Sequence, residues 1–249
     1  MRNTSLKATL GLLLLTSSSA LAEEDQPKES VEVSGVLFSS WGANLNAMTN
    51  DFNIDRIFLN AKRKIGDDFG VRVTTDVDRQ KSSEITADVG GMTMPVTVQA
   101  DTKLRPYVKF AYLEWKNAIP GVKTVRFGAA PTPWTSHSIR FWGHRWVRKD
   151  FATQHKVLST SDIGVHAMGG FSDGLVNWQA SVINGTGTNK ADSDASKTAQ
   201  LRVTVNPANS SGGSMPVSAF VSYQPVDIGV EADPALIYGA SAGYKFDAG

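Results

Sequence analysis

Cysteine is absent from all 249 residues, which excludes disulfide frameworks, thiolate metal sites and cysteine nucleophiles. No stretch reaches the roughly 18 consecutive apolar residues that a membrane-spanning helix needs. An excess of one charge is missing too: 25 basic residues face 24 acidic ones, so whole-chain charge names no partner and nucleic acid is not expected. A Gly-x-Ser-x-Gly elbow does not occur, and Ser138 beside His137 is adjacency in sequence, not triad geometry, so no enzymatic activity is expected.

What the chain does have is an export signal. Arg2 and Lys7 precede an apolar run from Leu10 to Leu15, and Ala20-Leu21-Ala22 supplies the small-x-small pattern that a signal peptidase cuts. Residues 1–22 are therefore expected to be removed, with the mature chain starting near Glu23. Without Arg2 and Lys7, 23 basic residues remain against 24 acidic ones, a formal charge of −1. Residues 23–30 are polar and charged and read as a periplasmic lead-in to a domain over 31–249. An exported chain without disulfides draws its stability from strand pairing.

Apolar alternation predicts ten strands, at about 31–41, 54–65, 69–79, 105–117, 122–130, 161–171, 174–184, 197–206, 216–224 and 235–246. The pattern is cleanest where Val71, Val73 and Val77 alternate with Arg72, Thr74, Asp76 and Asp78. It recurs where Ala199, Leu201, Val203 and Val205 alternate with Gln200, Arg202, Thr204 and Asn206. Connections alternate as well: tight turns at 66–68, 118–121 and 172–173, and long links at 42–53, 80–104, 131–160 and 185–196. Short turns on one rim and long loops on the other predict an all-β fold, an antiparallel up-and-down transmembrane β-barrel of the Gram-negative outer membrane. A soluble periplasmic β-sandwich is the alternative, although its buried faces would hold more Val, Ile and Leu.

Charge decides which face meets lipid. Arg72, Asp76 and Asp78 on one side of a strand would be costly in hydrocarbon, so that side is assigned to a watery interior. The same alternation places Arg56, Asn60, Lys62, Arg126, His166, Asn177, Gln179 and Arg202 on the inner wall. Ile57, Leu59, Val125, Phe127, Val165, Val176, Trp178, Val221 and Tyr223 then face outward. In strand 105–117, Lys109 and Glu114 fall on opposite faces, and Glu114 is assigned to the membrane interface near the Pro120-Gly121 turn.

The hairpin from Arg56 through Lys62-Arg63-Lys64-Ile65-Gly66-Asp67-Asp68 to Val73 resembles the early hairpin of the phosphate-selective porin family, the porin O and P type. Three further segments agree in order: Ala111-Tyr112-Leu113-Glu114-Trp115; Arg126-Phe127-Gly128 running into Thr132-Pro133-Trp134; and Ser161-Asp162-Ile163-Gly164-Val165 leading to Ile183-Asn184-Gly185-Thr186-Gly187. The resemblance spans about residues 54 to 207. It implies a passive channel without cofactors, and a homotrimer by analogy. Two departures stand out. The family usually places a basic residue before the Thr-Pro-aromatic element, where this chain has Pro131. Its members run to 16 or so strands, and outer-membrane barrels generally finish on an aromatic residue, whereas this chain stops at Phe246-Asp-Ala-Gly249. The chain is therefore expected to be the N-terminal part of a larger barrel, C-terminally incomplete.

Segment 131–160 is the candidate selectivity element. Arg140, Arg145, Arg148, Lys149 and Lys156 stand against one acid, Asp150, with His137, His144 and His155 among them. Trp134, Phe141, Trp142 and Trp146 are interleaved. Folded inward, Arg140, His144, Arg145, Arg148 and Lys149 would form a pore constriction that lowers the barrier for anions. Arg56, Lys62, Arg72, Asp76, Asp78, Arg126 and Arg202 would line the pore. The competing reading leaves the loop solvated, against outer-membrane lipid and lipopolysaccharide, and lets the aspartates pair with neighbouring basic residues as structural ion pairs. The histidines lie seven and eleven apart, without the close spacing of a zinc helix, so no metal site is expected. Asp192 and Asp194 are expected to hold nothing.

The functional expectation is a porin, a diffusion channel for small hydrophilic solutes with a preference for anions. A plugged structural or adhesive surface barrel is the alternative.

Overall fold

A computed structural model describes residues 5–9, 13–16, 30–79, 83–89, 92–98, 103–145, 147–207, 213–227 and 233–246. Most of the expected signal and lead-in lies outside them. Two short segments near the N-terminus, β1 (Ser5–Thr9) and β2 (Leu13–Thr16), both pair antiparallel with β3 (Val31–Asn44). Then come β4 (Thr49–Ile65), β5 (Phe69–Arg79), β6 (Ser83–Val89), β7 (Met92–Val98), β8 (Leu104–Ile119) and β9 (Val122–Pro131). Helices α1 (Pro133–Trp142) and α2 (Phe151–Gln154) precede β10 (Ser161–Phe171), β11 (Val176–Ile183), β12 (Thr198–Val205), β13 (Gly213–Ser214), β14 (Val217–Gln224), β15 (Ala235–Ala242) and β16 (Lys245–Phe246).

All ten expected strands are present, as β3, β4, β5, β8, β9, β10, β11, β12, β14 and β15. They are hydrogen-bonded in chain order, which makes an antiparallel up-and-down sheet. Among the described residues β3 does not pair with β15, so the sheet is not closed. The chain divides into two compact units. One contains 33–60 and 74–108, and the other 61–73 and 109 onward.

Several connections differ from expectation. The first, 42–53, is mostly strand, since β3 runs to Asn44 and β4 starts at Thr49 around a turn at 45–48. Asn44 Oδ1 accepts from the N–H groups of Asn46 and Ala47 at 3.1 Å each, an Asx turn that lets polar residues close a hairpin. Link 80–104 contains the β6–β7 hairpin, paired from Ser83↔Val98 to Val89↔Met92. The tight turns hold. Ile119 pairs with Val122 across Pro120-Gly121, and Gly121 has φ +82°, the left-handed value that a type II turn needs at its second central residue. Link 206–216, on the same edge as these turns, is long and includes β13, which pairs with β16.

In the larger unit the two faces of the sheet differ sharply. His166, Gln179, Ser181, Gln200, Thr204, Ser218 and Ser222 are buried. The alternate positions Ile163, Val165, Val182, Leu201, Val205, Val221 and Tyr223 are 38–56% exposed. Polar residues are covered and apolar ones are bare, the reverse of a water-soluble sheet with one packed face. The small apolar core, with Ala130, Ile183 and Phe220, sits on the covered side.

Val125 keeps the outward face of its cross-strand partner Trp115 but is itself buried, between Trp115 on one side and Ala167 on the other. One face assignment needs correction. In β8 the exposure pattern slips by one residue between buried Lys109 and buried Tyr112, so Lys109 and Glu114 share the covered face. On that face Glu114 Oε2 takes Arg126 Nε at 2.8 Å.

Candidate functional site

Segment 131–160 is not an open loop. Thr132-Pro133 starts α1, with proline at the first helical turn, where its missing N–H costs nothing. Gly143 ends it in the left-handed region at φ +68°, its N–H returning to Ile139 O at 3.1 Å. Thr132 Oγ1 and Thr135 Oγ1 both donate to Ser159 O, at 2.6 and 3.1 Å, which ties the start of the helix to the returning chain.

Helix α1 lies on the covered polar face. Trp134 packs on Phe220 at a centroid distance of 5.4 Å, and His137 Nε2 is 2.9 Å from Ser218 Oγ and 3.4 Å from Ser241 Oγ. The Phe141 ring fills the notch above Gly243, where a Cβ would meet its Cζ at 2.0 Å. Ser218 and Gly243 lie at the edge carrying the 172–174 turn, because Val217 pairs with Val205 and Ala242, and Val205 pairs with Val176. The helix thus starts from the long-loop edge at Pro131 and runs across the sheet toward the short-turn edge.

The five expected constriction residues follow from this path. Arg140, in the last turn of α1, faces a cavity of about 530 Å³ whose walls include His137, Phe141, Asn177, Gln179 and Arg202. His144, Arg148 and Lys149 are exposed and Arg145 is half-buried. His144 Nδ1 lies 2.7 Å from Trp142 O, and Trp142 Nε1 donates to Arg148 O at 3.3 Å. Trp146 lies outside the described residues. Asp150, the one acid, is turned away: it is buried as the cap of α2, accepting from Thr153 N–H and Ser138 Oγ.

The expected lining residues divide by partner. In the smaller unit Arg56 Nε meets Asp76 Oδ2 at 3.3 Å, and Tyr107 Oη donates to the same oxygen at 2.7 Å. Asp78 lies in β5, and its side chain falls outside the described residues. In the larger unit Lys62 pairs with Glu32 at 3.3 Å, Arg126 pairs with Glu114 and sits over Tyr112, and Arg72 sits over Phe110. Lys62 and Arg72 also line a second cavity of about 510 Å³, with Arg63, Lys64 and Lys116 against Glu32 and Glu114. Arg202 differs. It donates to Thr204 Oγ1, and its Nε is buried without a hydrogen-bond partner.

No metal site forms from the histidines among the described residues. His137 is held by serines, His144 by a carbonyl, and His155 packs against Phe151 with the rings tilted. Asp192 receives Lys197 Nζ at 2.6 Å. That hydrogen bond holds the Asp192 carboxyl below its ordinary range and raises the Lys197 ammonium.

Sequence reasoning missed Asp162. Its carboxylate is almost fully buried and accepts from the N–H groups of Ile163, Gly185 and Gly187 at 2.7, 3.1 and 3.0 Å, so it organises the loop after β11. Hydrogen bonds to a charged acceptor contribute about 1.5–3 kcal/mol each. Asp162→Ala should therefore destabilise the chain by about 3 kcal/mol and expose 184–188 to proteolysis. A denaturation midpoint and loop cleavage rate equal to the parent's would contradict this role.

Protein-family models, characterised proteins and solved structures yield no match to the chain.

Proposed function

We propose that this chain is a porin, an outer-membrane diffusion channel for small hydrophilic solutes with a preference for anions, and that its sheet forms part of a transmembrane barrel. The observation that carries this reading is the inverted sheet. Leaving a valine, leucine or phenylalanine side chain in water forgoes roughly 1.5–3 kcal/mol, and the exposed face repeats that cost on strand after strand. Lipid removes the cost, while the covered face supplies the polar wall of an aqueous interior. A soluble sandwich would instead pack its apolar face against a second sheet. The resemblance to the phosphate-selective porin family and the export signal support the same reading.

The anion preference rests on α1. It crosses the polar face and carries Arg140, and segment 133–156 holds one acid, the capping Asp150, against Arg140, Arg145, Arg148, Lys149 and Lys156. In a planar bilayer under a potassium chloride gradient, the chain should conduct with a zero-current voltage of the anion-selective sign. Replacing Arg140, Arg145 and Arg148 together by glutamine should move that voltage toward cations. An unmoved voltage in a conducting variant would remove the loop from selectivity.

The same helix favours a second reading, a plugged surface barrel, because it occupies the polar face. That reading gives insertion without conductance.

A further inference from the structure

The cavity between the end of α1 and strands β9–β12 has a wall rich in amide oxygens. Asn177 and Gln179 of β11 line it, and each is anchored through its nitrogen: Asn177 Nδ2 donates to Gly174 O at 2.9 Å, and Gln179 Nε2 donates to Pro131 O at 3.1 Å. An amide held by its N–H group keeps its oxygen as an acceptor. Asn206, just beyond β12, lines the same cavity, and its Oδ1 is buried without a hydrogen-bond partner. Four residues earlier on the same strand face, Arg202 Nε is a buried donor atom that also lacks one. Thr204 between them is already engaged, receiving Arg202 and pairing with Ser218 Oγ at 2.8 Å. A buried acceptor atom and a buried donor atom without partners are exceptions to the pairing expected inside proteins, and together they ask for a ligand that both donates and accepts.

We infer that this cavity binds one neutral polyhydroxylated solute, a hexose-sized sugar or polyol. A hydroxyl group donates one hydrogen bond and accepts others, so neighbouring hydroxyls on one ring serve Asn206 Oδ1 and Arg202 Nε together. An inorganic anion brings acceptors up to the oxygens of Asn177, Gln179 and Asn206, and a metal cation meets the Arg202 guanidinium. Neither satisfies both kinds of group. Phe141 supplies an apolar ring on the helix side, a surface on which the C–H face of a sugar packs. The volume of about 530 Å³ falls within the roughly 300–1,000 Å³ usual for small-molecule sites. The site adds a solute class to the channel reading, and its occupancy depends neither on conduction nor on the anion preference.

The test dialyses the purified full chain, refolded in zwitterionic detergent, to equilibrium against radiolabelled glucose at neutral pH. Binding should saturate at one glucose per chain in the millimolar range, and sodium phosphate exchanged for chloride at constant ionic strength should not displace it. Asn206→Leu removes the acceptor at nearly the same size and should weaken binding by about 2- to 13-fold, the worth of one net hydrogen bond. Asn206→Asp keeps an acceptor in the same place and should retain glucose, whereas a bound anion would be expelled by the added charge. Lys190→Gln, on an exposed loop, should bind as the parent does. Should Asn206→Leu fail to fold, Asn206→Asp decides: loss of glucose from the folded aspartate variant overturns the site. Absence of saturable binding, binding unchanged in Asn206→Leu, or displacement of glucose by phosphate overturns it equally. Bilayer conductance is measured separately, so a silent chain that binds glucose sinks the porin reading alone, and a conducting chain that binds none sinks this inference alone.

Discussion

Replacing Gly243 with valine should detach the end of helix α1 from the sheet and raise conductance severalfold. Gly243 follows β15, and its N–H is held by Pro216 O at 3.3 Å, so the backbone there is tied. A Cβ at this position would lie 2.0 Å from Phe141 Cζ and 2.9 and 3.0 Å from Cε2 and Cε1. The ring must leave, and the helix end that carries it must follow. Overpacking of this kind costs about 1–3 kcal/mol, which corresponds to a roughly 5- to 150-fold shift between docked and undocked helix. Trp134 on Phe220 and His137 on Ser218 would still hold the first turns, so the displacement concentrates around Arg140 and Phe141. Trypsin should then cut at Arg140 faster than in the parent chain. Phe141→Ala reaches the same state without a clash, by removing the anchor. If both variants conduct and resist trypsin as the parent does, α1 is not the blocking element. A parent that is silent and a Gly243→Val variant that conducts would instead identify the helix as a plug.

The clearest strands were legible because they carry two chemistries in alternation. Arg72, Thr74 and Asp76 against Val71 and Val73 leave only one pairing register in which neither face is mixed. The same contrast placed Gln179, His166 and Arg202 on the covered side. Where the contrast weakens, the reading failed. Gly42 to Asn53 is rich in Asn and Asp and reads as loop, yet β3 and β4 extend into it because hairpin pairing overrides local propensity. In β8 a slip in alternation reverses the face of Glu114, and nothing in the residue types of 109–112 announces it.

Helix α1 was partly written in the sequence. Thr132-Pro133 at one end and Gly143 at the other are start and stop signals, but a ten-residue segment with three bulky aromatics and no acid in its first turn has weak helical preference of its own. Its stability comes from the sheet beneath it. Asp162 was illegible for another reason: its partners Gly185 and Gly187 lie 23 and 25 residues away, and only the β10–β11 register brings them to its carboxylate.

Leu201→Arg should separate a lipid-facing sheet from a soluble one more decisively than any change in the loop. Leu201 lies midway along β12, 42% exposed, between the covered neighbours Gln200 and Arg202. If its face meets hydrocarbon, an arginine near the bilayer midplane should cost about 2–4 kcal/mol of folding stability in lipid. If its face meets water, the same exposed substitution should stay within about 0.5 kcal/mol. Leu201→Ala serves as the size control. It removes the leucine's apolar contacts without adding charge, so the excess cost of arginine over alanine reports the solvent that the charged side chain meets. Urea-induced unfolding from phosphatidylcholine vesicles gives both numbers. Equal stability of the arginine and alanine variants would place this face in water and end the barrel reading, whatever the conductance of the parent.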